Sequence, residues 1–250
     1  MALAIVDTFN PPYEAWTSRI PTHEEMMEMM EMHRQTGRFS THINDQLITR
    51  VSNPLEAANF IASVGADGGL GNHINHVLDH DDGYAEWRRS MPSATPSGLK
   101  KYKSQYPFYD PVQVQKEINI HGVLLPVGQE LFHAGVWPSG ASLVTDRPLS
   151  TSFCPQVALR NADYKGKAYE AGRIDLFVVR VAASSTNAFV YKRKKLDLGH
   201  ENEVVFAAGA SLKLISETLV RDNYSAGKIL EFARLGTKHV PIYVLEIDLI

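Results

Sequence analysis

The chain has very little cysteine and no long hydrophobic run. Its 250 residues include a single cysteine, Cys154, so no disulfide can form within the chain, and a reducing compartment is the expected environment. No stretch approaches the roughly 18 apolar residues that a membrane-spanning helix needs. The first residues, MALAIVDTFN, lack the basic start of a secretory signal peptide. We therefore expect no membrane partner. We expect the protein to work in a cytoplasm, either of the producing cell or of a target cell that it enters without a classical signal peptide.

The sequence also lacks a strong charge of either sign. Its formal net charge is -3, which does not indicate a nucleic-acid or polyanion partner. A hydrophobic content of 44% and a charged content of 21% are those of a soluble globular protein. The length suits one large domain or two small ones. We expect a monomer that does not bind nucleic acid.

The sequence pattern of residues 1–115 predicts helices separated by loops. The segment PTHEEMMEMMEMHRQTG opens with a capping-box pattern at Thr22 and Glu25 and ends at Gly37. Its methionines predict a helix that faces the core, in preference to an adaptable binding surface. Residues 90–111 are rich in Ser, Pro and Gly, which predicts a linker or a long loop.

After residue 116 the pattern changes to short β-rich runs separated by turn residues. These runs are EINIHGVLLPVG, QELFHAGVW, RIDLFVVRVAA, NAFVYK, ENEVVFAAG, SLKLISETLV and PIYVLEIDLI. They predict an α+β protein, in which a helical lobe (1–115) packs on a mainly β domain (116–250).

Three features outside the strand pattern are candidates for chemistry. His73, His76 and His80 share one face of a predicted helix, but the neighbouring aspartates fit a solvated helix end, so we predict no metal site. Cys154 has no base near it in the sequence and is expected to be a buried, inert thiol. The basic run 192–195 is either a solvated loop or a surface that steers an acidic partner.

The carboxylates of Glu201 and Glu203 lead directly into an apolar strand. Residues i and i+2 of a strand point to the same side, so the two carboxylates would face one cleft. Such a pair suits a reaction that passes through an oxocarbenium-like sugar cation. On its own, the pair is better interpreted as two solvated residues at a strand end.

The pair is preceded by two further motifs in order. His133 stands near the end of a predicted strand in FHAG, and Ser150, Thr151 and Ser152 open the next apolar segment. A strand with Arg or His, then Ser-Thr-Ser, then Glu-x-Glu resembles the mono-ADP-ribosyltransferases of bacterial toxins, effectors and phages. The resemblance covers roughly residues 118–250.

One position departs from this pattern. The branch with Ser-Thr-Ser and Glu-x-Glu normally has Arg on its first strand. Here the residue is His133, which resembles the Tyr-His-Gly of the diphtheria-toxin and poly-ADP-ribosyltransferase branch. Arg147 and Arg160 are nearby candidates for gripping a pyrophosphate, since a guanidinium matches phosphate with two hydrogen bonds.

The resemblance implies a two-sheet core that binds NAD as co-substrate. Glu203 would stabilise the ribose cation, Ser150 would fix Glu203, and Glu201 would orient or deprotonate the acceptor. Cofactor contacts would come from His133, Ala134, Gly135, Arg147, Thr151 and Ser152, the last two lining the nicotinamide pocket.

The resemblance also implies a protein target that receives ADP-ribose, and an injected bacterial effector or toxin as the context. Targets in the family include ubiquitin, actin and small GTPases, and the N-terminal lobe is expected to choose among them. Two alternatives stay open. One is an NAD glycohydrolase with water as acceptor, and the other is a degenerate scaffold that only binds a partner.

Overall fold

The computed structural model describes residues 3–37, 41–183, 185–192, 202–230 and 235–250. Helices in these ranges are α1 (His23–Thr36), α2 (Pro54–Val64), α3 (Gly68–His80), α4 (Asp82–Ser90), α5 (Ser97–Gln105), α6 (Pro111–His121), α7 (Pro155–Asp163) and α8 (Lys167–Ala171). Within the same ranges, no helix has both the length and the apolar character to cross a membrane.

Strands form a large mixed sheet and a separate pair. They are β1 (Tyr13–Arg19), β2 (Ile43–Val51), β3 (Val123–Leu124), β4 (Glu130–Gly135), β5 (Ser142–Val144), β6 (Leu149–Ser152), β7 (Ile174–Val181), β8 (Asn187–Val190), β9 (Glu203–Phe206), β10 (Ser211–Ile229) and β11 (Leu235–Leu249). The large sheet has the order β3-β8-β9-β6-β4-β7-β11-β10-β5, and β1 pairs with β2. Strands β7 and β11 run parallel, and the other described pairs are antiparallel. The predicted α+β class is confirmed.

The large sheet has two halves that meet at one residue pair. Strand β4 pairs with β6 only through Phe132 and Ser152, whereas its pairing with β7 runs from Glu130 to Gly135. The half β3-β8-β9-β6 can therefore diverge from the half β4-β7-β11-β10-β5, although hydrogen bonding joins them. The two sheets expected from sequence are, in hydrogen-bonding terms, two halves of one sheet.

One hydrophobic core runs from the N-terminal helices into the sheet. Tyr84 and Trp87 of α4 place their rings 5.4 and 5.8 Å from that of Phe153, which follows β6. Strand β7 (IDLFVVRV) is buried along nearly its whole length, as expected of a strand covered on both faces. The division at residues 115 and 116 stays a prediction.

Two segments differ from the sequence predictions. Residues 97–105, predicted as loop, form α5, whose first N–H groups at Gly98 and Leu99 donate to the Glu117 carboxylate at 3.0 and 2.8 Å. Residues 117–121, predicted as the start of a strand, complete α6, which begins at an Asp110 cap. Strands β1 and β2 were not predicted at all.

Helix α1 forms as predicted but does not face the core. None of its residues is buried, and Met27 and Met32 are 57% and 61% exposed. Its methionines are spread around the helix, so no single apolar stripe exists to bury. The helix is instead stabilised at its ends, by the Thr22–Glu25 capping box and by Gly37 in the left-handed conformation.

Candidate active site

A cleft of about 1040 Å³ lies where the two halves of the sheet diverge. Strand β4 lines it from one half, strand β6 and the start of β9 line it from the other, and α5, α7 and α8 contribute side chains. A single residue pair joins β4 to β6, and this local divergence leaves room for a ligand between two otherwise rigid layers.

Glu203 is the first residue of β9 and points into this cleft. Its Oε1 accepts a hydrogen bond from the Ser150 hydroxyl at 2.7 Å. Ser150 lies on the adjacent antiparallel strand β6, opposite Val205, so the two side chains are diagonal neighbours on one face. The strands themselves therefore set the orientation of the carboxylate.

The backbone before Glu203 is held by the helical half of the chain. Asn202 has φ of 47°, a left-handed conformation that asparagine tolerates better than most residues. Its buried amide donates to Asn75 of α3 at 2.8 Å. Helix α3, which carries the three histidines, thus supports the start of β9.

Helix α5 brings two side chains to the Ser150–Glu203 pair, and neither was identified from sequence. Lys103 Nζ lies 3.2 Å from Glu203 Oε2, and both side chains are 13% exposed. The Tyr102 hydroxyl lies 3.3 Å from Ser150 Oγ. No sequence signal places these residues at the site, because α5 falls in the segment whose Ser, Pro and Gly content predicts a loop.

His133 on β4 faces the cleft as a neutral imidazole. Its Nδ1 lies 2.6 Å from the Ser150 carbonyl oxygen, and since a carbonyl only accepts, Nδ1 carries the proton and Nε2 is an acceptor. Desolvation, and to a smaller extent Arg147 and Lys167, lower the pKa of His133 to about 4. The ring therefore offers Nε2 to a hydroxyl or amide donor and cannot pair with a phosphate as arginine does.

The remaining motif residues line the cleft with small or already bonded groups. Ala134 and Gly135 follow His133 along β4. The Thr151 hydroxyl donates to the Val204 carbonyl at 2.8 Å, and Ser152 Oγ accepts from the Cys154 amide at 3.0 Å. Thr151 and Ser152 thus tie β6 to its neighbours and also form part of the cleft wall.

Several basic side chains also line the cleft. They are Arg147, Arg160, Lys165, Lys167 and Arg173. Arg147 donates to the Tyr106 hydroxyl at 3.3 Å, and Arg173 pairs with Asp175 and Glu217. Desolvation, and then the charges of Arg147 and Lys165, lower the pKa of Lys167. A set of crowded cations of this kind favours an anionic ligand such as a pyrophosphate.

Solved structures that resemble this chain include enzymatic components of bacterial toxins. One is the enzymatic component C2-I of the Clostridium botulinum C2 toxin, with 10% identity over 67% of this chain and a TM-score of 0.39. Vis toxin, an ADP-ribosyltransferase from Vibrio splendidus, has 13% identity over 93% of this chain and 88% of its own, with a TM-score of 0.33. C3larvin, an ADP-ribosyltransferase from Paenibacillus larvae, has 11% identity over 67% of this chain and all of its own, with a TM-score of 0.37.

This chain spans only 46% of the C2-I chain. No protein-family model and no curated relative matches it. The side chains of the cleft must therefore carry any functional conclusion.

Several residues singled out from sequence lie elsewhere. Glu201, and residues 193–195 of the basic run, lie outside the described residues. Cys154 is buried, and burial raises the pKa of its thiol.

The three histidines of α3 do not converge on one point. The His76 and His80 rings lie 4.4 Å apart, whereas His73 packs on Tyr13 with ring centres 5.6 Å apart. In the parts of the chain that are described, no group of three or more His, Cys, Asp or Glu side chains is arranged to hold a metal ion.

Proposed function

We propose that this protein is a mono-ADP-ribosyltransferase that moves ADP-ribose from NAD to a side chain of a target protein. The single observation that carries the proposal is the Glu203 carboxylate, fixed by Ser150 at 2.7 Å inside a cleft that is also lined by a neutral His133 and by basic side chains. These groups match the parts of NAD in kind: a carboxylate for a ribose, an acceptor nitrogen for a hydroxyl or amide, and cations for the pyrophosphate.

The chemical step breaks the bond between the nicotinamide nitrogen and ribose C1′. The bonding electron pair leaves with nicotinamide, and positive charge develops on the ribose. Glu203 accepts a hydrogen bond from the ribose 2′-hydroxyl and stabilises that charge, an interaction that is strongest in the transition state. Because Ser150 already holds Oε1, the carboxylate needs little reorganisation when the charge appears.

The rest of the cleft positions NAD. His133 Nε2 accepts a hydrogen bond from the adenosine ribose or from the nicotinamide amide. Arg147 binds the pyrophosphate, with Arg160 as the alternative. It thereby supplies the guanidinium that, in the resembling family, comes from the arginine at the position of His133. Ala134 and Gly135 leave room for the cofactor beside β4, and Thr151 and Ser152 line the nicotinamide end.

Transfer requires a nucleophile from the target to attack ribose C1′ and to lose a proton. We assign that orienting or base role to Glu201. The target is a protein of the kind modified within the family, such as ubiquitin, actin or a small GTPase. We place the enzyme as a bacterial effector or toxin that acts in another cell.

An NAD glycohydrolase is the second candidate. Water needs no dedicated orienting residue, so Glu203 and Ser150 suffice for hydrolysis. The test is incubation with NAD labelled in its adenosine part, together with a bacterial or a eukaryotic lysate, while released nicotinamide is measured in parallel. Labelled protein supports transfer. Release of nicotinamide without labelled protein supports hydrolysis. If neither is detected, a binding module without enzymatic activity is the remaining candidate.

A further inference from the structure

Lys103 is placed where a second group could control the catalytic carboxylate. Its Nζ lies 3.2 Å from Glu203 Oε2, on the opposite carboxylate oxygen from Ser150. Each oxygen of Glu203 is thus approached from a different element, β6 on one side and α5 on the other. The neighbouring lysines Lys100 and Lys101 of α5 are exposed, so this contact is specific to position 103.

The ammonium of Lys103 is held in place by an aromatic ring as well. It lies 4.6 Å from the ring centre of Tyr191, just after β8, a distance typical of a cation–π contact. The hydroxyl of that tyrosine donates to the Leu99 carbonyl of α5 at 2.8 Å. Tyr191 therefore contacts α5 twice, through its ring at Lys103 and through its hydroxyl at Leu99.

Among the described residues, two phenols have a pKa that responds to the Glu203 charge. They are the hydroxyl groups of Tyr102 of α5 and of Tyr191. Burial, reinforced by that charge, raises the pKa of both and takes Tyr102 to about 12. Ser150 of β6 contributes only a hydroxyl. Lys103 supplies a positive charge directly beside the carboxylate, at a site where both side chains are largely buried.

We propose that Lys103 is a positioning residue that keeps the Glu203 carboxylate ionised and fixes its direction for the chemical step. The proposal rests on the assignment of Glu203 as the catalytic carboxylate. An opposite charge within about 4–6 Å favours the ionised form of a carboxyl group, commonly by 1–3 pH units. Without the charge of Lys103, the neighbouring phenols and the Ser150 hydroxyl would not stabilise the anion as strongly. Glu203 would then take up a proton at a higher pH.

The experiment is a rate–pH profile of nicotinamide release for the wild type, Lys103→Met and Lys103→Arg. Met keeps an apolar stem against the Tyr191 ring, and Arg keeps the charge. We expect Lys103→Met to move the acid limb of the profile upward by about one pH unit or more and Lys103→Arg to bring it back. Lys101→Met is the matched control, because it removes one exposed charge from the same helix, and it should leave the acid limb unchanged.

A merely structural ion pair gives a different result. In that case Lys103→Met lowers the thermal unfolding temperature, and the rate falls in proportion at every pH without moving the acid limb, which would overturn the proposal. Should Lys103→Met fail to fold, Lys103→Gln gives the same comparison with a neutral hydrogen-bonding side chain.

A measurement without NAD separates this proposal from the proposed function. In protein labelled with ¹³C in its glutamate carboxyl groups, the Glu203 signal should titrate at higher pH in Lys103→Met than in the wild type. If the wild type does not cleave NAD, the transferase assignment fails, and this titration still decides whether Lys103 holds Glu203 ionised. An unchanged titration midpoint would refute the role of Lys103 whatever the activity.

Discussion

Replacing Glu203 with Gln removes the charge of the carboxylate while keeping its size. The amide oxygen can still accept from Ser150, whose hydroxyl lies 2.7 Å from Oε1. The substitution therefore tests the charge rather than the shape of the site. Loss of a main electrostatic stabiliser costs about 10²–10³ in rate, and a hundredfold loss corresponds to about 2.7 kcal/mol of transition-state stabilisation. We expect both nicotinamide release and target labelling to fall at least about a hundredfold.

The same change also affects stability, and the two effects must be separated. Lys103 would lose its ion pair with Glu203 at a site where both side chains are 13% exposed. Removing one partner of a buried pair commonly costs about 3–5 kcal/mol, so the thermal unfolding temperature should fall. Rates are therefore compared at a temperature where circular dichroism shows Glu203→Gln to be folded.

A matched control uses a carboxylate of the same type away from the cleft. Glu170 of α8 pairs with Lys228 and does not line the cleft. Glu170→Gln should keep near-wild-type nicotinamide release. If Glu203→Gln is folded and keeps near-full activity as well, the assignment of Glu203 as the catalytic carboxylate is refuted.

Three further predictions concern the other site residues. His133→Ala should weaken NAD binding, measured by calorimetry, more than it slows the chemical step, and an unchanged affinity would direct attention to Arg147 and Arg160. The lowered pKa of His133 also predicts a pH effect. In the folded protein this pKa is about 4, below the ordinary value of 6.5, so between these pH values the unfolded chain binds more protons than the folded one. The free energy of unfolding should therefore fall as the pH drops from 6.5 towards 4. Urea unfolding of His133→Gln across that range should show a smaller decline than the wild type, and an equal decline would contradict the neutral ring. Glu201→Gln should abolish target labelling while slow NAD cleavage by water continues, and full labelling would remove Glu201 from the acceptor role.

The β-rich half of the fold could be predicted because its local pattern and its tertiary environment agree. Strands β7 and β9 are apolar runs bounded by turn residues and are largely buried in the sheet, and the predicted apolar run of β11 contains most of its buried residues. The placement of Ser150 near Glu203 was implied by a motif resemblance, and adjacent pairing of β6 and β9 brings the two side chains together.

The contribution of α5 could not be predicted. Its N-terminus is capped by Glu117 from another helix, so the stretch lacks the local cap that would have indicated a helix. Lys103 and Glu203 lie far apart in the sequence, and the packing of α5 against Tyr191, Glu117 and Ser150 brings them together. Burial of α1 was predicted wrongly, because a count of methionines does not show that they surround the helix.

The exposure of α1 makes this helix a practical handle for labelling. Exposed positions that make few contacts usually change the free energy of unfolding by less than about 0.5 kcal/mol when substituted. None of the α1 residues is buried or lines the cleft. Because Cys154 is the single cysteine and is buried with a raised pKa, a cysteine introduced at Met27 or Met32 would be the thiol that reacts with a maleimide. A fluorophore or cross-linker can therefore be attached at one chosen point, and the proposed target sought through it, with the cleft left intact.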